Sequence, residues 1–187
     1  PISVPVVLDE FPAAKKTRVA VMANPPGGTT HPGIEAAVRK AADALSNAGH
    51  EVVETTPPDF ELACQLWSDQ MNGELTLQLD LLNMVMGEGG RQFLELTREG
   101  MKEIDFAGWA NAQTQRNGVA RRWSLWFQEN PVLICPTWTE PAFVYDNDIK
   151  DVESAMGTLQ QLRAVLPANL LGLPAVVVPG GMADSLP

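Results

Sequence analysis

Two short apolar runs frame an amphipathic segment near the start of the chain. Residues 17–23 (TRVAVMA) are apolar and rich in Val, which is typical of a buried strand. Over residues 32–45, apolar side chains recur every three or four positions, as on one face of a helix. Residues 50–56 (HEVVETT) follow as a second predicted strand. Strand, helix and strand in this order predict a β-α-β unit over residues 17–58, with parallel strands.

The middle of the chain follows a helical period. Apolar side chains repeat every three or four positions over residues 60–86, and the sequence GEGG at 87–90 interrupts that pattern. Further helices are predicted over 93–101 and 106–127. We interpret residues 59–130 as a helical layer or a lid over a pocket. Core packing explains four tryptophans on these helical stripes better than ligand binding does. They are Trp67, Trp109, Trp123 and Trp126.

The last third of the chain returns to strands. Residues 131–138 (PVLICPTW) predict a strand that ends at Pro136. A helix is predicted from about residue 153, and Pro167 must kink or end it, because proline has no N–H to donate inside a helix. Residues 175–181 (AVVVPGG) predict a final strand that is apolar on both faces and therefore buried.

These patterns together predict an α/β protein with a mostly parallel or mixed sheet flanked by helices. We expect one partial domain over residues 1–187, in which 1–16 form an extended arm. After the β-α-β unit and the helical layer, residues 131–187 are expected to supply core strands and a helix.

Composition narrows the classes of partner. The hydrophobic fraction of 45% and the charged fraction of 19% are those of a soluble globular protein. A net charge of −10 disfavours binding to nucleic acid and to anionic membrane surfaces. No apolar run reaches the roughly 18–20 residues of a membrane span, and no signal-peptide pattern is visible. Cys64 and Cys135 lie in apolar surroundings, so we expect buried free thiols in a cytoplasmic protein.

The loop between the first strand and helix resembles a phosphate-binding turn only in outline. The stretch NPPGGTTHPG contains no Lys, and Gly27, Gly28 and Gly33 do not have Gly-x-Gly-x-x-Gly spacing. We therefore favour a simple connection over a nucleotide site. A doubly wound nucleotide-binding domain is therefore the least favoured functional hypothesis.

Other site chemistry is sparse along the chain. His31 and His50 have no partner at ligand spacing, so no metal site is predicted. No Gly-x-Ser-x-Gly elbow occurs. Trp138 differs from the other tryptophans because it follows the carboxyl end of a predicted strand, the edge at which open α/β sheets bind ligands.

Three segments together resemble the amidase signature family. They are the β-α-β unit at 17–58, the helix and strand that end in a Pro-Thr turn at 106–143, and LPANLLGLPAVVVPGGMADSLP at 166–187. The third is the most specific because it carries Asn-x-x-Gly-x-Pro-Ala. It departs from the family's Gly-Leu-Pro in having Ser185 before the Leu.

The resemblance implies hydrolysis or transfer of amides by a Ser–cis-Ser–Lys triad, without a metal or cofactor. This chain contains no Gly-Gly-Ser-Ser-Gly-Gly signature and no Lys in the family's catalytic context. We therefore expect the C-terminal part of an amidase, inactive alone, with its catalytic residues upstream of Pro1. The substrate would be a small amide.

The same resemblance places part of the substrate pocket on this chain. It points to Pro136, Thr137 and Trp138 as substrate-binding residues, and also to Asn169 and Gly172. For Gly172, a turn between helix and strand is the favoured interpretation.

Two further expectations concern the partners of the chain and an alternative function. The remainder of the amidase chain, or a second copy of this chain, would cover the apolar strand near residue 177. The alternative to an enzyme fragment is a non-catalytic module on the same fold that binds a small molecule.

Overall fold

The computed structural model describes residues 15–186, so the arm predicted for 1–16 lies almost entirely outside the described residues. A three-stranded parallel sheet forms the centre, flanked by helices. Its strands are β1 (Arg18–Val21), β2 (Glu51–Glu54) and β3 (Val132–Ile134), in the order β2-β1-β3. The predicted α/β class with a mostly parallel sheet is confirmed.

Six α-helices connect and follow these strands within the described part of the chain. Asp105 and Asp151 begin two of them, since each carboxylate accepts a backbone N–H three residues on, at 2.7 and 2.8 Å. The short break at Gly87 replaces the longer interruption predicted over GEGG, because the next helix starts at once. The helices are α1 (Pro32–Asn47), α2 (Phe60–Val85), α3 (Glu88–Gly100), α4 (Phe106–Glu129), α5 (Val152–Gln161) and α6 (Leu166–Leu171).

The order of the strands creates a crevice at one edge of the sheet. The chain leaves the central strand β1 through α1 to reach β2 on one side, and it returns through α2, α3 and α4 to β3 on the other. Beyond the strands, the Met22 N–H still donates to the Ile134 carbonyl at 2.9 Å. The loops after β1 and β3 therefore start side by side at the carboxyl edge of the sheet, which is the edge at which open α/β sheets bind ligands.

The larger of two buried clusters lies between α2, α4 and α6. Phe60 and Trp123 stack with ring centroids 6.4 Å apart, and the Trp123 indole N–H donates to the Pro58 carbonyl at 2.8 Å. Trp123 is fully buried, whereas the other three helical tryptophans are half-buried. The cluster comprises Met22, Phe60, Ala63, Leu66, Ala112, Val119, Trp123 and Leu170.

Two sequence expectations for the last third need correction. Residues 175–181 form no strand, because no described strand lies beside them to pair with, and Val176 is 88% exposed. The predicted helix does not run as far as Pro167. It ends at Gln161, and Pro167 lies in the first turn of the separate helix α6, where a missing N–H is tolerated.

Leu66 on α2 offers a test of the larger cluster. We expect Leu66→Ala to lower the free energy of unfolding by about 2–5 kcal/mol, because the 2%-exposed side chain leaves a cavity among close-packed neighbours. The matched control is Leu77→Ala on the same helix, where the side chain is 87% exposed and the expected change is within about 0.5 kcal/mol. Urea unfolding followed by circular dichroism measures both, and equal effects would contradict this packing.

Candidate functional site

A cavity of about 1240 Å³ opens at the crevice beyond the carboxyl ends of the strands. One face of α1 forms part of its wall through Ile34 and Ala37. The end of β3 and the loop after it, over residues 134–143, together with the segment 177–183, complete most of the rest. The lining is mainly apolar, which suits a small molecule that has little charge.

The structure brings three of the five predicted site residues together at this cavity. Pro136, Thr137 and Trp138 line it, with Pro136 buried, Trp138 half-buried and Thr137 exposed. They follow β3 directly, so the strand positions them at the sheet edge. Their contact with a substrate stays a prediction.

The other two predicted residues, Asn169 and Gly172, are not among the residues that line the cavity. The Asn169 amide oxygen accepts the Trp67 indole N–H at 2.8 Å, which joins α6 to α2. Gly172 has a φ of 67°, and it ends α6 by donating its N–H back to the helix. Both residues have a structural role in this chain, and substrate contact by either one remains untested.

The Trp138 ring has a defined orientation. Its indole N–H donates to the Gln161 side-chain oxygen at 2.8 Å. The Phe143 ring lies beside it, with centroids 6.2 Å apart and planes inclined by 39°. A hydrogen bond at one end and an aromatic neighbour restrict the rotation of the indole.

Thr139, the next residue, attaches this loop to two other segments, the start of α1 and the end of α5. It is 1% exposed, and its N–H donates to the Gln161 carbonyl at 3.1 Å. Its carbonyl accepts the His31 N–H at 2.8 Å, at the start of α1. Its hydroxyl lies 3.2 Å from the Gln161 carbonyl and accepts from Arg163 Nη1 at 3.0 Å. Every polar group of Thr139 is therefore paired.

Arg163 extends the same network to the loop after β1. The residue is 4% exposed, and its Nε and Nη2 donate to the carbonyls of Pro25 and Thr29 at 3.2 and 2.6 Å. Its Nη1 also donates to the Gln160 carbonyl at 3.1 Å. One guanidinium thus connects the loops after β1 and β3 with the end of α5, a geometry that its five fixed donors allow.

The glycines in the loop after β1 make room for this guanidinium. A Cβ on Gly28 would lie 3.0 to 3.2 Å from the guanidinium atoms of Arg163, which is too close. Gly27 has a φ of 91°, a conformation that favours glycine. The two glycines of the NPPGG sequence therefore have a packing reason.

Burial controls the titration of the groups around the site. It lowers the pKa of Arg163, although nearby Cys64 and Glu140 oppose the shift. Burial raises the pKa of the Cys64 thiol to about 12 and that of Cys135 to about 11. Both thiols are free and only partly buried, and both are protonated at neutral pH. Cys135 lines the cavity but is therefore a poor nucleophile.

Two negative findings apply to residues 15–186. No group of three or more His, Cys, Asp or Glu side chains in that range is arranged to hold a metal ion. No helix in the same range combines the length and the apolar character needed to cross a bilayer. His31 instead begins α1, since its Nδ1 accepts the Gly33 N–H at 3.2 Å.

Sequence reasoning missed Thr139, Gln161 and Arg163. A signal for Arg163 was present, because it is the only charged residue between Glu153 and Asp184. A single charge in so apolar a stretch indicates a buried, hydrogen-bonded group. Nothing local marks Thr139 or Gln161, whose partners lie more than 20 residues away along the chain.

The comparisons with known proteins all point to one family. The family model described as Amidase matches residues 6–187. An indoleacetamide hydrolase of Bradyrhizobium japonicum is 32% identical over 182 residues, covering 91% of this chain and 37% of that protein. A glutamyl-tRNA(Gln) amidotransferase component from Salinispora arenicola is 26% identical over 196 residues, covering 91% of this chain and 39% of that protein.

Solved structures show the same fold. The structure of 6-aminohexanoate cyclic dimer hydrolase complexed with substrate has a TM-score of 0.60 and 21% identity, covering 97% of this chain and 43% of that chain. Fatty acid amide hydrolase has a TM-score of 0.63 and 19% identity, covering 86% and 29%. The chain therefore spans less than half the length of these relatives.

Arg163 tests how the loops around the cavity are held. We expect Arg163→Met to lower the free energy of unfolding by about 2–5 kcal/mol, because it leaves buried carbonyls and the Thr139 hydroxyl without donors. The control is Arg121→Met on the exposed surface of α4, with an expected change within about 0.5 kcal/mol. Thermal and urea unfolding measure both. A loss for Arg163→Met no larger than for the control would show that this network contributes no stability.

Proposed function

Because the chain belongs to the amidase family, we propose that it is the C-terminal part of an amidase signature hydrolase that cleaves the C–N bond of a small amide. The observation that supports this proposal is the family match over residues 6–187, together with relatives that are more than twice as long as this chain. In this proposal, the Ser–cis-Ser–Lys triad is supplied by residues upstream of Pro1. This chain supplies scaffold and one wall of the substrate pocket and is inactive alone.

The cavity beyond β1 and β3 supports the assignment of that wall. Pro136, Thr137 and Trp138 would face the bound amide, and the loop network around Thr139 would hold them in place. Of hydrolysis and amide transfer, we favour hydrolysis, because the indoleacetamide hydrolase is 32% identical to this chain and the Salinispora amidotransferase component 26%. Indoleacetamide, which gives its name to the Bradyrhizobium relative, is a suitable first compound to test.

The extended valine segment supports the proposed partner, the remainder of the amidase chain. Val176, Val177 and Val178 are 88%, 73% and 68% exposed. A side chain of this size left in water forfeits roughly 1.5–3 kcal/mol of burial free energy. We therefore propose that upstream residues cover this segment, and that the isolated chain associates with itself in their absence.

Activity provides the direct test. We expect the purified 187-residue chain to release no ammonia from indoleacetamide above the buffer rate, because the proposed nucleophile lies upstream of Pro1. We expect a longer protein that includes the upstream triad to hydrolyse this or another small amide. Turnover by the 187-residue chain that a substitution within it abolishes would disprove the fragment proposal. An inactive longer protein without the signature would favour the non-catalytic binding module.

Val176 tests the proposed partner surface. We expect Val176→Glu to leave the melting temperature of the 187-residue chain unchanged while raising its monomer fraction, because an exposed charge opposes apolar association. In the longer protein, the same substitution should lower stability and soluble yield. Val144→Glu is the control, since Val144 is 81% exposed and lies in a loop. Identical behaviour of the two variants in both proteins, measured by light scattering and thermal unfolding, would contradict the surface.

A further inference from the structure

Two aromatic rings form one part of the cavity wall. Trp138 and Phe143 both line the cavity, and they stand on the same loop with their centroids 6.2 Å apart. Phe143 is 37% exposed and Trp138 is half-buried, so each ring has surface that the protein leaves uncovered. Uncovered aromatic faces beside a cavity favour the binding of another flat group by offset or edge contact.

The indole of Trp138 is held in place before any ligand binds. Gln161 accepts the indole N–H at 2.8 Å through its side chain, while its backbone carbonyl accepts the Thr139 N–H at 3.1 Å. The end of α5 thus fixes both the ring and the adjacent backbone. A ring that is already oriented loses little conformational entropy when a ligand stacks on it.

The charges around the cavity discriminate against anions. Among the described residues that line it, Glu140, Asp146 and Asp148 are acidic, and none is Lys, Arg or His. A carboxylate ligand would meet negative charges without a lining cation to pair with. The remaining lining includes Ile34, Ala37 and Ala41, which offer apolar contact.

We propose that this cavity selects an uncharged amide that carries a flat aromatic group. The Trp138–Phe143 pair receives that group, and Gln161 is a positioning residue that orients Trp138. The identification of the ligand as an amide depends on the proposed function, whereas the preference for flat and uncharged groups depends on the aromatic pair and the lining charges.

Indole N–H resonances of the ¹⁵N-labelled 187-residue chain give a direct test. The five tryptophans give five such resonances, and Trp138→Phe assigns the one of interest. We expect 2-phenylacetamide to shift the Trp138 resonance during titration. Cyclohexylacetamide has a similar size but no flat ring, and we expect it to bind about three- to tenfold more weakly. Phenylacetate, which carries a negative charge, should also bind at least about threefold more weakly than phenylacetamide.

Variants at Gln161 separate positioning from folding. We expect Gln161→Leu to move the Trp138 indole resonance without ligand and to remove the preference for phenylacetamide over cyclohexylacetamide. Gln161→Glu keeps an acceptor oxygen for the indole N–H, so it should retain that preference. Trp126→Phe on α4 is the control, because Trp126 does not line the cavity.

Two outcomes overturn the inference. They are equal affinities for the phenyl and cyclohexyl amides, or shifts that spare Trp138. Amide hydrolysis by the longer protein tests the proposed function separately. Hydrolysis that does not prefer phenylacetamide to cyclohexylacetamide would retain that function and reject the aromatic pair as a selecting element. Selective binding by this chain, with no hydrolysis by the longer protein, would support the pair and reject the function.

Discussion

The burial of one guanidinium constrains the two loops that lie beside the cavity. A charged group removed from water is tolerated only if its donors are satisfied, and Arg163 finds its acceptors on segments that are far apart in the chain. Pro25 and Thr29 follow β1, Thr139 follows β3, and Gln160 lies near the end of α5. The buried charge therefore depends on both loops, since neither loop alone can satisfy the arginine.

The sheet topology explains why these loops meet at all. Because β1 and β3 are neighbouring parallel strands, the loops that follow them start at the same edge of the sheet. Hydrogen bonds from Thr139 and Arg163 then join these loops to each other and to the end of α5. The two features are complementary: the topology brings the loops to one edge, and the hydrogen bonds hold them together there.

The elements whose signals are local could be predicted from the sequence. The apolar run at β1, the helical period of α1 and the position of Trp138 after a strand all depend on neighbouring residues. The hydrogen bonds of Arg163 could not be predicted in this way, because Arg163 contacts Pro25 across 138 positions of sequence. The strand prediction for residues 175–181 was wrong for a different reason. Their apolar pattern indicates that both faces are meant to be covered, but it does not say which part of the chain covers them.

The exposed valine segment, residues 175–178, is flanked by prolines that oppose fibril-like strand pairing. Val176, Val177 and Val178 have the β propensity, and the run 175–178 has the absence of charge, that favour amyloid-like stacking. Pro174 and Pro179 bracket them, and proline cannot donate to a ladder of hydrogen bonds. The uninterrupted run is therefore shorter than the roughly five to seven residues of an aggregation-prone window. The exposed segment can thus stay apolar without starting fibril formation.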